Sequence, residues 1–573
     1  MSAKDHSPGQ PLVNAADSKD AKSDGFQVES GEMVGSEKSS AARAPLSGIT
    51  RYFTGPELEA RKARYREADM LSDEIETDAT AAGGEGGAEK AKQSALNKRE
   101  TSGLKRDMGW KGCAWNITAY SIALGVLSLP NVAATVGIVP YIFLILIFAY
   151  LTWFTGISYW HLQQRYPGIH SLEDAGHLLF GRPGRVIFGT LQYLFSICLA
   201  GNHVLLGAKA FSRLGWHAPE TCAIALYFTF TVISFLFTLP RSYKLFSYLA
   251  VVSVCCITIV IIITMIAANI SGPVNQPVGS PEPGIRAFGS LLDPPPTFLQ
   301  GMLGVSNLFV SFGASPTYLP VMAEMHNPKR DFPRALAFLA IFQVVVYLLV
   351  GGVVERGLGQ YVESPSLASL SPVMSKIGYG IGLPTILLAG CASGQVAAKH
   401  IYVKLGRTQP SLFRTKARGW SVWIFVNVIN WILAWILAEC IPFFSSFLGV
   451  ESSAFWTAFL AFGAAFMLFC AYDDKLRVGG KAQVSGDMDL TAYRDEVLIA
   501  STEEEARTQH STLLRWACTI PSRPASAWTF ALIVWLITSL VCITGMWGAA
   551  LSIRDSYAQG VVGRPFSCAI TDA

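Results

Sequence analysis

The chain has 573 residues, of which 51 % are hydrophobic and only 15 % charged, and its mean hydropathy is +0.36. The first 109 residues hold 16 basic and 19 acidic side chains, while the other 464 hold 51 charges, about 11 % against about 25 % in soluble domains. An acidic polar head on an apolar, net basic body excludes an ordinary soluble enzyme, a nucleic-acid-binding module and a disulfide-stapled secreted domain, and points to a multi-pass membrane protein.

Residues 1–109, rich in Gly, Ser, Ala, Glu and Lys, read as a disordered cytoplasmic N-terminal tail. Within it, 56–76 predicts a polar helix that stays solvated for want of a broad apolar face. The tail is either regulatory or an inert tether. In the regulatory reading Lys90, Lys92 and Lys98 are open to modification and ubiquitin-dependent turnover machinery is the partner. No apolar h-region opens the chain, so the first span is expected to act as the insertion signal.

From Trp110 onward eleven apolar segments are long enough to cross a bilayer: 110–136, 138–161, 186–214, 222–239, 245–270, 298–323, 335–354, 378–403, 420–439, 453–472 and 525–552. They define an all-α membrane domain over 110–552 and leave 553–573 as a short extracellular tail. The run from Ile441 to Val450 belongs to either the ninth or the tenth span. With the N-terminus inside, the inner loops hold 20 Lys and Arg and the outer segments 6, which fixes that orientation and puts the C-terminus outside. The outer loop 271–297 is rich in Pro and Gly, and Asn269 heads a sequon that abuts the membrane. The inner stretch 490–516 predicts an amphipathic interfacial helix. Most of the 11 Cys sit in apolar runs as small hydrophobes; Cys440 and Cys568 face outward, with no pairing assigned. No metal-ligand spacing occurs, so neither a metal nor an organic cofactor is expected.

Two spans are interrupted. The first contains GVLSLP from Gly125 to Pro130, and the sixth contains FVSFGASPTYLP from Phe309 to Pro320. Proline removes a backbone donor, glycine lowers helix propensity, and the freed groups are tolerated only against protein or a polar cavity. Breaks five spans apart make spans 1–5 and 6–10 inverted repeats, the pattern of midplane sites in secondary transporters. Helix ends at the breaks offer N–H groups to a carboxylate and C=O groups to an ammonium, which suits the zwitterion of an α-amino acid.

Ionisable residues in spans are functional candidates. His203, in the third span, relays a proton or bonds a neighbouring carbonyl. Glu324, at the inner end of the sixth, pairs with a basic residue as an inner gate or ties down the next loop. Lys399 and His400 are expected to snorkel to the interface, and Glu439 to meet water.

The run from Gly125, the sequence EMHNPKRDFPRAL from Glu324, SLEDAG from Ser171 and AECIPFFSSFLG from Ala438 together resemble the amino acid/auxin permease family, most closely the fungal neutral amino acid permeases of the methyltryptophan-resistance type. The resemblance implies a leucine-transporter-like 5+5 fold of 11 transmembrane helices with broken helices 1 and 6. It implies amino acid uptake coupled to an ion, usually H⁺. Substrate would meet the backbone of Gly125, Val126, Leu127, Ser128, Ser311, Phe312, Gly313 and Ala314, with Phe312 shaping the side-chain pocket. The sodium-coupled branch has Asn where this chain has Ala119, which favours H⁺, although Ser393 still offers a hydroxyl. The reading is therefore a proton-coupled importer of neutral, including aromatic, amino acids. The alternatives are a sodium-coupled symporter and an amino-acid-sensing receptor with little flux. The plasma membrane is favoured over the vacuolar membrane.

Overall fold

The computed structural model describes residues 58, 61–62, 108–122, 125–215, 222–240, 243–292, 295–409, 415–441, 443–484, 524–558, 566 and 568. The chain divides into two units, Met1–Tyr52 and Phe53–Ala573, and every described residue lies in the second. The interfacial helix expected at 490–516, the modifiable lysines and nearly all of the tail lie outside the described residues. Of the polar helix, Leu58, Arg61 and Lys62 are described: they are helical, and Leu58 and Lys62 are buried rather than solvated. Arg61 donates to the His177 carbonyl at 3.2 Å.

Among the described residues the regular elements are helices. The first span is α1 (Trp110–Ile122), a 3₁₀ turn (Gly125–Ser128) and α2 (Leu129–Val136). Then come α3 (Ile138–Arg165), α4 (Leu172–Arg213), α5 (Ala223–Thr238) and α6 (Tyr243–Ser271). The sixth span is α7 (Phe298–Ser311) and α8 (Ser315–Ala323). It is followed by α9 (Pro328–Leu358), α10 (Pro372–Thr408) and α11 (Lys416–Cys440). The tenth span is α12 (Phe444–Glu451), a π turn (Ser452–Trp456) and α13 (Thr457–Val484); α14 (Pro524–Ala558) is the eleventh. Nine of these segments are long and apolar enough to cross a membrane, and α5 with the α7–α8 pair completes eleven. Spans one and six are broken as expected. The run before Ser453, left open between two spans, belongs to the tenth, which starts at Phe444 instead of Ser453.

Burial separates central from peripheral helices. Ile142, Phe143, Leu146 and Ile147 on α3, and Leu532, Ile533, Leu536 and Leu540 on α14, form exposed apolar stripes at helical spacing. In a bilayer such stripes face lipid, which is as apolar as they are. The α1, α4 and α10 segments are mostly buried and form the middle of the bundle.

The SLEDAG motif becomes a helix start. Ser171 caps α4 by accepting from Asp174 N at 3.2 Å. The helix bends at Gly181, whose φ of 68° suits glycine, just before Pro183. The fold-back sets Arg185 3.7 Å and His400 of α10 3.8 Å from the carboxylate of Glu173.

At the opposite end, Ile138 N, Val139 N and Leu291 N bond Arg286 O, Ala287 O and Ala134 O at 3.1, 3.0 and 2.8 Å, pinning the outer loop to the α2–α3 corner. Gly137 turns that corner with φ 91°, and a Cβ there would lie 3.0 Å from Gly289 N. Cys222, at the start of α5, is joined to Cys568 by a disulfide spanning 346 residues, while Cys440 is free. Phe566 packs edge-on against Trp435 of α11 at 5.8 Å, and Tyr557 Oη donates to Cys440 O at 3.0 Å. Proteolysis of unreduced protein is expected to yield a linked peptide pair containing Cys222 and Cys568 that separates with reductant. Recovery of both as alkylated thiols without reductant would refute the bond.

Candidate functional site

In the first span α1 ends at Ile122, Gly125 opens the 3₁₀ turn, and α2 starts at Leu129. The Ser128 hydroxyl donates to Gly125 O at 2.7 Å, taking up one carbonyl of the interruption, and Pro130 sits in the first turn of α2, where no N–H is needed. In the sixth span Phe312 N and Gly313 N close short turns onto Phe309 O and Val310 O at 3.2 and 2.9 Å. The chain restarts at Ser315 with Pro316 in the first turn, and Thr317 Oγ1 takes Ala314 O at 2.7 Å.

The carbonyl of Ser311 lies at the end of α7, where the sixth-span break begins. It accepts from Ser121 Oγ of α1 at 3.2 Å, from Gln343 Nε2 of α9 at 3.4 Å, and from Tyr347 Oη of α9. Gln343 also donates to Ser121 Oγ at 2.6 Å. A buried carbonyl without partners is costly, so these donors let the helix end inside the protein.

The two breaks meet. A Cβ on Gly125 would lie 2.6 Å from Ser311 Cα, and one on Gly313 would lie 2.6 Å from Val310 O and against the Trp456 ring. All eight expected substrate contacts, Gly125, Val126, Leu127, Ser128, Ser311, Phe312, Gly313 and Ala314, are buried. Phe312 sets its ring edge-on to Tyr347 at 5.1 Å.

A cavity of about 670 Å³, counting its mouth, adjoins the breaks. It is lined by Asn116, Ala119 and Tyr120 of α1, Ser253 of α6, Thr317 and Val321 of α8, Ala389 and Ala392 of α10, and by Met108 and Glu324. The eight break residues are not among its lining; the helix faces that run up to them are. At the Glu324 end, Met108 N donates to Glu324 O and His326 N to Met108 O, both at 3.0 Å, tying the start of span one to the end of span six.

The three expected coupling residues lie apart. Glu324 lines the cavity and sits within electrostatic reach of Lys399 on α10, the basic partner that the gate reading requires. His203 bonds Leu199 O through Nδ1 at 2.7 Å and packs on Gly390, the neighbouring-carbonyl arrangement. A carbonyl only accepts, so Nδ1 carries the proton and Nε2 is the open acceptor. The Ser393 hydroxyl is turned back onto Ala389 O at 3.0 Å. The snorkelling expected of Lys399 and His400 is replaced by acids facing them, Glu324 and Glu173. Glu439 is 5 % exposed rather than in water.

Sequence reasoning missed two fully buried acids, Glu355 on α9 and Glu451 at the end of α12. Each fell just beyond an expected span boundary, and carrying the apolar segments a turn further would have found both. It also missed Ser121, Gln343 and Tyr347, whose role depends on where the breaks meet. Gly125→Ala is expected to lower stability by about 1–3 kcal/mol through overpacking and to abolish uptake. Gly304→Ala, whose new Cβ meets Thr135 Cγ2 at an ordinary 3.7 Å, should do neither. Equal melting temperatures for the two purified variants would refute the close approach.

Among known proteins, the model of the family described as Transmembrane amino acid transporter protein matches residues 106–476. The chain is similar to the N amino acid transport system protein of Neurospora crassa, 26 % identical over 467 residues that cover 81 % of this chain and 88 % of that one. It is also similar to the amino acid transporter AVT1E of Arabidopsis thaliana, 21 % identical over 316 residues, 53 % of this chain and 56 % of that one. Among solved structures it is similar to MhsT in complex with L-phenylalanine, with TM-score 0.45 and 15 % identity, over 75 % of this chain and 98 % of that one.

Proposed function

The chain belongs to the transmembrane amino acid transporter family, and from that premise we propose that it imports neutral, including aromatic, amino acids by proton symport and alternating access. The observation that carries this reading is the meeting of two broken helices at Gly125 and Ser311. The ends of α1 and α7 present carbonyls there, and the starts of α2 and α8 present N–H groups. Carbonyl ends favour an ammonium and N–H ends a carboxylate, so the pair suits a zwitterion with any neutral side chain. Backbone groups of Gly125–Ser128 and of 311–314 are the proposed contacts, reached when the breaks part.

The cavity beside α1, α8 and α10 supports access from the Glu324 end, with Glu324 and Lys399 as groups whose attraction changes as that end opens and closes. A hydrocarbon at Ala119 and a Ser393 hydroxyl already bonded to its own helix favour H⁺ over Na⁺ as the coupling ion. Carrying a net-neutral zwitterion with one H⁺ moves one charge, worth about 2.3 kcal/mol per 100 mV of inside-negative potential. The basic inner loops favour a cytoplasmic N-terminus, and a disulfide on the opposite face suits an oxidising exterior, which supports the plasma membrane.

The test is uptake of labelled L-phenylalanine and L-leucine into proteoliposomes with acid outside and sodium absent. Accumulation that collapses with an uncoupler is expected. Uptake that begins only when sodium is added would overturn the proton reading, and no uptake with either ion would overturn transport of these substrates.

A further inference from the structure

The least expected ionisable group in the membrane domain is Glu451. It ends α12 where the tenth span widens into the π turn Ser452–Trp456, and it is fully buried. Its Oε2 accepts from Asn202 Nδ2 of α4 at 3.1 Å. Its Oε1 and the Oδ1 of Asn202 are both buried without a hydrogen-bond partner. Both of those oxygens are acceptors, so the pair is short of a donor, and one proton on the carboxyl supplies it. Among the described residues no cation balances the carboxylate, and an unpaired buried charge costs several kcal/mol. The occluded arrangement therefore selects the neutral acid.

The groups around the pair reinforce this. Cys198 on α4 and Tyr120 on α1 are the titratable side chains within its electrostatic reach. His203 follows Asn202 but turns to Gly390 of α10 and holds Leu199 O. The facing part of α7 brings Ser306 and Asn307, neither of which titrates. On α14, Gly545 packs against Ser453, and the charges Arg554 and Asp555 pair with each other at 2.8 Å at an exposed end. On α13, Cys470 and Tyr472 lie far along the helix.

Glu451 is also wired to the sixth-span break. Ser452 Oγ donates to Ser306 O, the Ser306 and Ser453 hydroxyls bond at 2.5 Å, and Ser311 Oγ reaches Asn307 O at 3.4 Å. Trp456, the last residue of the π turn, packs on Gly313. A π turn placed in this way is a frequent companion of functional sites.

We propose that Glu451, positioned by Asn202, is the site that carries the transported proton, an inference that rests on the symport reading. Hydronium in the outer solvent gives a proton to the carboxylate: its O–H bond breaks, water is left, and the carboxyl O–H bond forms. The neutral acid closes into the bundle with Asn202. When span ten and the break move to the inward-open arrangement, water reaches the group, the O–H bond breaks and the proton leaves to the inner solvent. Proton affinity differs between the two arrangements, which is what couples proton and substrate.

The test uses Glu451→Gln, which fixes the neutral form, in proteoliposomes. Counterflow of labelled L-leucine against preloaded unlabelled L-leucine is expected to persist, because exchange needs no net proton movement. Accumulation driven by a pH gradient is expected to vanish. Accumulation equal to wild type would overturn the proposal, and so would loss of counterflow together with accumulation, since that marks a structural role. As a second variant that keeps the carboxyl, Asn202→Ala should move the alkaline limb of the wild-type uptake profile to lower pH, since the neutral acid loses the amide oxygen that accepts its proton. An unmoved limb would overturn the proposal. If wild type itself shows no accumulation under a pH gradient, the symport reading fails first and separately.

Discussion

A helix that stops inside a membrane leaves carbonyl and amide groups that lipid cannot satisfy, and this constraint organises the molecule. The Ser311 carbonyl shows how it is met: Ser121 reaches it from α1, and Gln343 and Tyr347 from α9. The first-span break solves the same problem internally, with Ser128 folding back onto Gly125. Because the donors to Ser311 come from other spans, the sixth-span break is complete only against α1 and α9, and α9 is bound to both broken spans. The glycine at 125 permits the approach that brings the donors within range.

The two ends of the bundle are held by different means. At the Glu324 end the fastening is polar and close to water: Met108 bridges to the chain after α8, Glu173 faces Arg185 and His400, and Glu324 faces Lys399. Such contacts gain and lose strength as solvent enters. At the opposite end the fastening is a covalent bond, Cys222–Cys568, together with the backbone hydrogen bonds that pin the 271–297 loop and the aromatic contacts of Phe566 and Tyr557.

Much of this was legible in the residue pattern because membrane helices obey length and polarity rules that a single sequence displays. The eleven spans and the breaks at Gly125 and Gly313 follow from apolar runs and from Gly and Pro within them. Boundaries were less legible. The tenth span starts at Phe444, after Pro442 and Phe443, in a run that reads equally well as loop, and that shift is what hid Glu451. Side-chain partners were the least legible. Nothing in the order of residues says that Glu173 meets His400, that Lys399 meets Glu324, or that Cys222 rather than Cys440 bonds Cys568, since each pair depends on how distant helices lie against one another.

The position of that disulfide has a topological meaning. Eight crossings separate Cys222 from Cys568, an even number, so both sulfurs emerge on one face of the membrane. A chain that skipped one crossing, or inserted one segment the wrong way round, would leave the two thiols on opposite faces with the bilayer between them. Formation of the bond is thus a parity check written into the covalent structure. It is closed by Cys568, which follows every span it audits.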